Sequence, residues 1–290
     1  MFIALIKSMR PRQWLKNGLV FVPLYFDGKL TDLASLGRVA LAFVLLCLMS
    51  GAVYLMNDLI DLDADRQHPR KRLRPLAAGQ LSRGLAAGVA AGLVALSLAA
   101  ALALSQWLAA VLLVYLLIQV AYTFRLKHVV LVDVMLVAAG FVLRVGAGVA
   151  VIDVERFSPW LYVCTGLLAL FLALGKRRQE LLLLGAEAGN HRAILDEYNL
   201  ELIDLLIAVV TTSALVAYSL YTFLAEGLPA NHLMMLTIPF VLYGVFRYLY
   251  LIHVRHEGAA PEEVFWRDRP MQLALVLWAA TAYLALYVLG

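Results

Sequence analysis

Residues 37–75 read GRVALAFVLLCLMSGAVYLMNDLIDLDADRQHPRKRLRP. From Val39 to Asn57 the stretch carries no charge. Four aspartates then stand within positions 58–65, and six basic residues, counting His68, within 66–74. About twenty apolar residues are what an α-helix needs to cross roughly 30 Å of hydrocarbon. A membrane barrel strand would instead alternate with period two over about ten residues, and no such alternation is present. The stretch therefore reads as a membrane helix with a charged mouth.

The rest of the chain repeats the pattern. Nine spans are expected, at about 14–27, 37–58, 83–104, 107–124, 129–151, 158–175, 202–224, 231–252 and 270–289. The first is short and carries Pro23, which predicts a tilted or broken segment. Of the 290 residues, 63% are hydrophobic and only 15% charged, with a mean hydropathy of +0.84. A soluble domain is about 45–50% apolar and about 25% charged. The expected fold class is therefore all-α: a polytopic membrane protein forming one helical domain over 1–290. Cys47 and Cys164 both lie inside apolar runs, which excludes a disulfide framework.

Nineteen of the 24 Lys and Arg fall in the N-terminal tail and the segments after spans 2, 4, 6 and 8. Three, Lys29, Arg38 and Arg156, fall on the other side. The positive-inside rule then predicts a cytoplasmic N-terminus and an external C-terminus. The aspartate cluster, YTFRLKH (122–128) and GKRRQE (175–180) accordingly face the cytoplasm together.

If the second span stays helical through residue 65, Asp58, Asp61 and Asp65 fall within about 60° of one another, with Asp63 about 140° from Asp58. Three carboxylates on one face of a helix C-terminus repel each other and oppose the macrodipole. A cation must offset this. Mg2+ takes oxygen ligands, one or two carboxylates among them, and completes its shell with water and phosphate oxygens. Asp58 and Asp61 are the expected catalytic pair, and Asp58, Asp61 and Asp65 the expected metal ligands, with Asn57 orienting a carboxylate or a phosphate. Arg66, Arg72 and Arg74 are candidates to neutralise the remaining oxygens of a diphosphate. The plainer alternative is that the basic run serves topology and pairs with the aspartates in a solvated loop. His68, His128 and His191 lack metal-ligand spacing, and no nucleophile motif is apparent.

NDLIDLDAD (57–65) resembles the N-D-x-x-D-x-x-x-D motif of the UbiA superfamily of intramembrane prenyltransferases. RPLAAG (74–79) and YTFRLK (122–127), similar to the Y-S-x-x-x-K signature, extend the likeness, and nine helices is the superfamily's number. Members making quinone or aromatic prenyl products usually carry a second aspartate-rich motif, often D-x-x-x-D, after the sixth span. GKRRQELLLLGAEAGNHRAILDEYN (175–199) contains none. That segment, with MRPRQWLKN (9–17), HPRKRLRP (68–75) and LVDVMLVAAGFVLRVGAG (131–148), resembles the decaprenyl-phosphate phosphoribosyltransferase branch.

This resemblance implies transfer of 5-phosphoribose from phosphoribosyl pyrophosphate (PRPP) to a polyprenyl phosphate, with Mg2+ as cofactor and pyrophosphate released. It further implies a multi-pass protein of a bacterial plasma membrane serving cell-wall arabinan synthesis. The expected partners are PRPP, the lipid phosphate and the bilayer, not nucleic acid, with homo-oligomerisation left open. Two polyanions need further cations, and Arg10, Arg12, Lys16, Lys127, Lys176, Arg177, Arg178 and Arg192 are candidates. Asn17 beside Lys16 is a candidate ligand, and Tyr122 is either a phosphate donor or an interfacial belt residue. Arg144 lies in the fifth span. It is about 16 Å along the axis from Asp133 and so does not pair with it. An arginine at that depth either serves a ligand or pairs with an acid elsewhere. The competing enzyme reading is prenyl transfer from a prenyl diphosphate to an aromatic or small polar acceptor. A transporter would place polar groups near midplane in broken helices, whereas here charge crowds one face.

Overall fold

The computed structural model describes residues 1–69, 71–155, 158–184, 193–257, 264 and 267–289, and helices are the regular structure it forms there. Eight of them are long and apolar enough to cross a membrane. They begin with α3 (Leu33–Ile60), α5 (Arg83–Leu104), α6 (Gln106–Phe124), α7 (Val132–Val149) and α8 (Trp160–Leu184). After these come α9 (Leu200–Leu224), α10 (Ile238–His253, entered through a 3-10 turn at Leu233–Thr237) and α11 (Arg269–Tyr283, continued by a π-turn over Leu284–Val288). The N-terminal segment comprises α1 (Phe2–Ser8), a 3-10 run (Pro11–Phe21) and α2 (Val22–Phe26). The first expected span thus changes helix type immediately before Pro23. A short α4 (Leu62–Gln67) follows α3.

Side-chain caps start several spans, satisfying N–H groups that a helix cannot pair internally. Asp32 accepts from Ala34 and Ser35 at 3.1 and 3.2 Å, Ser82 from Leu85 at 3.3 Å, and Asn199 from Leu202 at 2.7 Å. Asp268 accepts from Met271 at 2.8 Å and also from Arg247 at 2.8 Å. The Arg247 bond holds the Asp268 carboxyl below the usual range.

The chain forms two compact units. The first comprises Met1–Tyr25, Lys29–Phe124 and Leu143–Val154, the second Phe26–Gly28, Arg125–Val142 and Glu155–Gly290. In the first, α3 runs through the middle. Val39, Ala42, Leu46, Met49 and Val53 pack with Leu108, Leu112 and Tyr115 of α6 and with Val20 and Leu24. Gly148 permits a close approach, since a Cβ there would lie 2.1 Å from the Val20 carbonyl oxygen. In the second unit, Phe171 and Leu174 of α8 pack with Ile203 and Ile207 of α9 and Tyr248 and Leu251 of α10.

Two expectations about helix ends change. The sixth span, expected to end near 175, continues to Leu184, so Lys176–Glu180 lie inside a helix. The second span does not run unbroken to residue 65. It ends at Ile60, Asp61 takes φ −86° and ψ 7°, and α4 starts at Leu62.

Candidate active site

The carboxylates sit where α3 gives way to α4. Its 28 residues reach about 42 Å at 1.5 Å per residue, longer than the hydrocarbon, so its end emerges with the acids. Despite the break, Asp61 N still bonds the Asn57 carbonyl at 3.0 Å and Asp65 N the Asp61 carbonyl at 2.8 Å. The chain therefore keeps turning in the helical sense. Asp58 and Asp65 both end up 2% exposed. Arg74 joins them, its Nη1 lying 3.2 Å from Asp58 Oδ1 and 2.5 Å from Asp65 Oδ2. Arg10 Nη2 donates to the same Asp58 Oδ1 at 2.5 Å, and its guanidinium lies 4.7 Å over the Tyr54 ring. Asp63 instead faces solvent, within 3.3 Å of Arg83 and 3.5 Å of Arg66.

The RPLAAG turn explains how Arg74 gets there. Ala78 N bonds the Arg74 carbonyl and Gln80 N the Pro75 carbonyl, both at 2.8 Å. Gly79 supplies φ +74°, a left-handed conformation that glycine adopts without strain. Leu76 and Leu81 then bury against Leu55, Leu62 and Met9. This apolar plug anchors the backbone from which Arg74 reaches the acids.

Asn57 Oδ1 is 2.6 Å from the Thr123 hydroxyl, which also lies 2.8 Å from the Gln119 carbonyl. Deeper in the same unit, Asn17 is 1% exposed and Arg144 7%. Arg144 Nε donates to Asn17 Oδ1 at 2.8 Å and Nη2 to the Tyr115 hydroxyl at 3.2 Å. Asn17 Nδ2 in turn donates to Ser50 Oγ at 3.2 Å. Ser50 precedes Asp58 by eight residues, about 12 Å along α3. Asn17, a candidate ligand contact, and Arg144, expected to serve a ligand or pair with an acid, are thus brought together in a buried polar network.

In the second unit, Arg177 is tied to Asp133, Nε to Oδ2 at 2.9 Å, and to Glu180. The Tyr198 hydroxyl donates to Asp133 Oδ1 at 2.8 Å and accepts from Leu131 N at 2.7 Å. Burial and then the Asp133 hydrogen bond push the Tyr198 phenol up to about 12. Arg178 turns elsewhere, to Asp204 at 2.7 Å and the Ile252 carbonyl at 3.0 Å. Successive residues diverge by 100° on a helix.

Among the described residues of the basic run, Arg74 is the one bonded to the buried acids. Arg66 and Arg72 are exposed, as is Lys176, while Lys16, Tyr122 and Lys127 are half-buried. Arg192 lies outside the described residues. No three His, Cys, Asp or Glu side chains converge as a metal cage among the described residues. Of the three expected ligands, Asp58 and Asp65 are buried together, and Asp61 lies between them at the helix break. Two nearly dry carboxylates brought to one guanidinium still fit Mg2+, which needs only one or two and takes the rest from water and phosphate.

The UbiA prenyltransferase family model matches residues 28–181. The chain belongs to the UbiA prenyltransferase family. Decaprenyl-phosphate phosphoribosyltransferase of Mycolicibacterium smegmatis is 36% identical, covering 98% of this chain and 92% of its own. The enzyme of the same name from Corynebacterium glutamicum is 33% identical, covering 98% and 87%. In fold, the chain matches a UbiA homolog from Archaeoglobus fulgidus solved with GPP and Mg2+. The TM-score is 0.76 at 20% identity, covering 98% of this chain and 99% of that one.

In this UbiA family member Thr123 occupies the Ser position of the Y-S-x-x-x-K signature, and that was the available signal for its contact with Asn57. Tyr54 was also findable, since it precedes Asp58 by four residues and shares its face. Arg10 is a candidate cation from the sequence, but nothing local to it signals its meeting with Asp58, 48 residues away.

Proposed function

We propose that this protein transfers 5-phosphoribose from PRPP to a polyprenyl phosphate at the cytoplasmic face of a bacterial plasma membrane, releasing pyrophosphate. The observation that carries it is the pair Asp58 and Asp65, both 2% exposed, held between Arg10 and Arg74 at the mouth of a membrane helix. The near-full-length likeness to relatives named for phosphoribosyl transfer to decaprenyl phosphate supports the choice of donor and acceptor.

Asp58 and Asp65, with Asp61 on the intervening turn, would hold Mg2+. When bound, the ion supplies charge neutralisation for the diphosphate. Arg10 and Arg74 supply guanidinium donors for its remaining oxygens. Thr123 fixes Asn57 beside the carboxylates. The C1–O bond of the ribose breaks with its electron pair leaving on pyrophosphate, and an oxygen of the lipid phosphate forms the new bond to C1 from the opposite face. A phosphate monoester has its second pKa near 6, so at neutral pH the nucleophile is already anionic and needs no strong general base. Positioning and fixed charge then supply most of the acceleration.

Lys16, Lys127, Lys176 and Arg192 are assigned to the phosphates of the two substrates, and Tyr122 to donation alongside Lys127. The whole chain acts as one catalytic domain with nine crossing segments. At about 2.0 Å per residue, the 3-10 run Pro11–Phe21 with α2 spans roughly 30 Å, which supports counting it as the ninth. The excess of Lys and Arg on one side supports a cytoplasmic N-terminus and an external C-terminus.

The test uses purified protein and Mg2+ with PRPP plus a polyprenyl phosphate, and in parallel with a prenyl diphosphate plus aromatic acids. Pyrophosphate release in the first mixture is expected. Release only in the second would establish the prenyl-transfer reading instead.

A further inference from the structure

Arg10 is held in an unusual way. It takes φ 53° and ψ 65°, a left-handed conformation uncommon for any residue but glycine, and it immediately precedes Pro11, where extended backbone is the rule. Contacts along one face of α3 offset this. Gly51, Tyr54 and Asp58 follow at intervals of three and four, so they line that face. Met9 seats against Gly51, where a Cβ would lie 2.7 Å from the Met9 Cε. Trp14 Nε1 donates to the Met9 carbonyl at 3.2 Å. The Arg10 guanidinium then covers the Tyr54 ring and ends on Asp58.

The charges in this cluster balance. Two carboxylates, each 2% exposed, face two guanidinium groups. A divalent cation arriving alone would place two positive charges on two buried carboxylates already balanced by two guanidinium groups, with Asp61 on the intervening turn to offset one of them. A diphosphate arriving alone would meet arginines already engaged by carboxylates. Metal and diphosphate together keep the site near neutrality. The side chains of Arg10 and Arg74 are 31% and 27% exposed, so each has a solvent side from which to take a new partner, whereas the carboxylates have none.

We infer that Arg10 is a place-holding cation: it occupies Asp58 while the site is empty and passes to a phosphate oxygen when metal and diphosphate enter together. This rests on reading Asp58 and Asp65 as a magnesium-diphosphate site. Arg10 thereby makes metal binding depend on the diphosphate and keeps free metal from occupying the site unproductively.

The experiment measures Mn2+, as a paramagnetic stand-in for Mg2+, binding to the purified full chain in detergent, with free Mn2+ read by electron paramagnetic resonance. Inorganic pyrophosphate is present or absent. For the unsubstituted protein, pyrophosphate at saturating level should tighten Mn2+ binding at least tenfold. Arg10→Gln should bind Mn2+ alone about tenfold more tightly than the unsubstituted protein and lose most of the dependence on pyrophosphate. Arg10→Lys, which keeps the charge, should restore most of it. Tyr54→Leu, which loosens Arg10 without removing it, should shift the same two quantities about two- to threefold, and it serves should Arg10→Gln fail to fold. Unchanged or weaker Mn2+ binding in Arg10→Gln and Tyr54→Leu would overturn the inference, as would binding to the unsubstituted protein that ignores pyrophosphate. Because no sugar or lipid substrate enters the measurement, its failure is separable from a failure of the phosphoribosyl-transfer assay.

Discussion

Among the described residues, two clusters pair a buried aspartate with arginine, and they differ in how exposed the arginine is and in how the donors are shared. At Asp58 and Asp65 the acids are buried but the arginine side chains are 31% and 27% exposed. At Asp133 acid and arginine are both buried, at 0% and 5%. The first cluster crowds two guanidinium groups onto one oxygen, Asp58 Oδ1. The second gives each Asp133 oxygen its own donor, Tyr198 and Arg177, and ties Arg177 further to Glu180. Separating a buried pair leaves an uncompensated charge in low dielectric, whereas a half-exposed arginine is solvated as it leaves. The same residue types therefore make an exchangeable site in one unit and a fixed joint in the other.

The sharpest way to break this contrast is to neutralise each acid or base in turn. Asp58→Asn should lower the rate of pyrophosphate release by about 10³-fold, roughly 4 kcal/mol. Its thermal unfolding should shift by no more than about 1 kcal/mol, because Arg10 and Arg74 retain water. Turnover near normal in the folded variant would sink the assignment of Asp58 to metal and diphosphate. Arg177→Met should do the reverse and cost about 3 kcal/mol of stability, read by thermal unfolding in detergent. A well-folded Arg177→Met enzyme with a raised KM for PRPP would instead return Arg177 to the substrate-binding role expected from the sequence.

Smaller changes sharpen the picture. Tyr198→Phe removes one donor from Asp133 and should cost about 1–2 kcal/mol at pH 8. With the folded phenol pushed up to about 12 and an unfolded one near 10, the advantage of Tyr over Phe is fully present below pH 10. It should shrink as pH rises from about 10 towards 12, because the unfolded chain ionises first. A constant difference up to pH 12 would show that the phenol is not held this way. Arg83→Ala, which breaks an exposed contact to Asp63, should change stability by less than about 0.5 kcal/mol and activity by less than twofold.

Much of the site is legible in residue order. The spacing of Asp58 and Asp65 brings both back to one side within two turns, and the structure buries both even though the helix breaks between them. The same spacing sets Asp63 apart, on solvent with Arg66 and Arg83. Residue order does not show that the helix breaks at Asp61, between the two buried acids, because that bend is an outcome of packing. The RPLAAG turn marks Arg74, but nothing nearby distinguishes it from Arg72, two residues earlier and exposed. Residue order leaves Asn17 a candidate ligand contact and Arg144 either a ligand contact or the partner of an acid, and across 127 residues they bond each other.

The sequence by itself determined the helices, their approximate number and their apolar faces. A bilayer leaves backbone polar groups no partners except within a helix or a closed barrel, so an apolar run of the right length has few options. It also determined which helix mouth carries acids, since side-chain direction follows the 3.6-residue period. Only the tertiary structure decided which arginine meets which acid. Arginines along the chain are chemically alike, and their partners depend on how helices pack. Met9 seated on Gly51 brings Arg10 to Asp58, and α8 brings Arg177 to Asp133. Burial of the arginine, which separates an exchangeable site from a fixed joint, is likewise a property of packing.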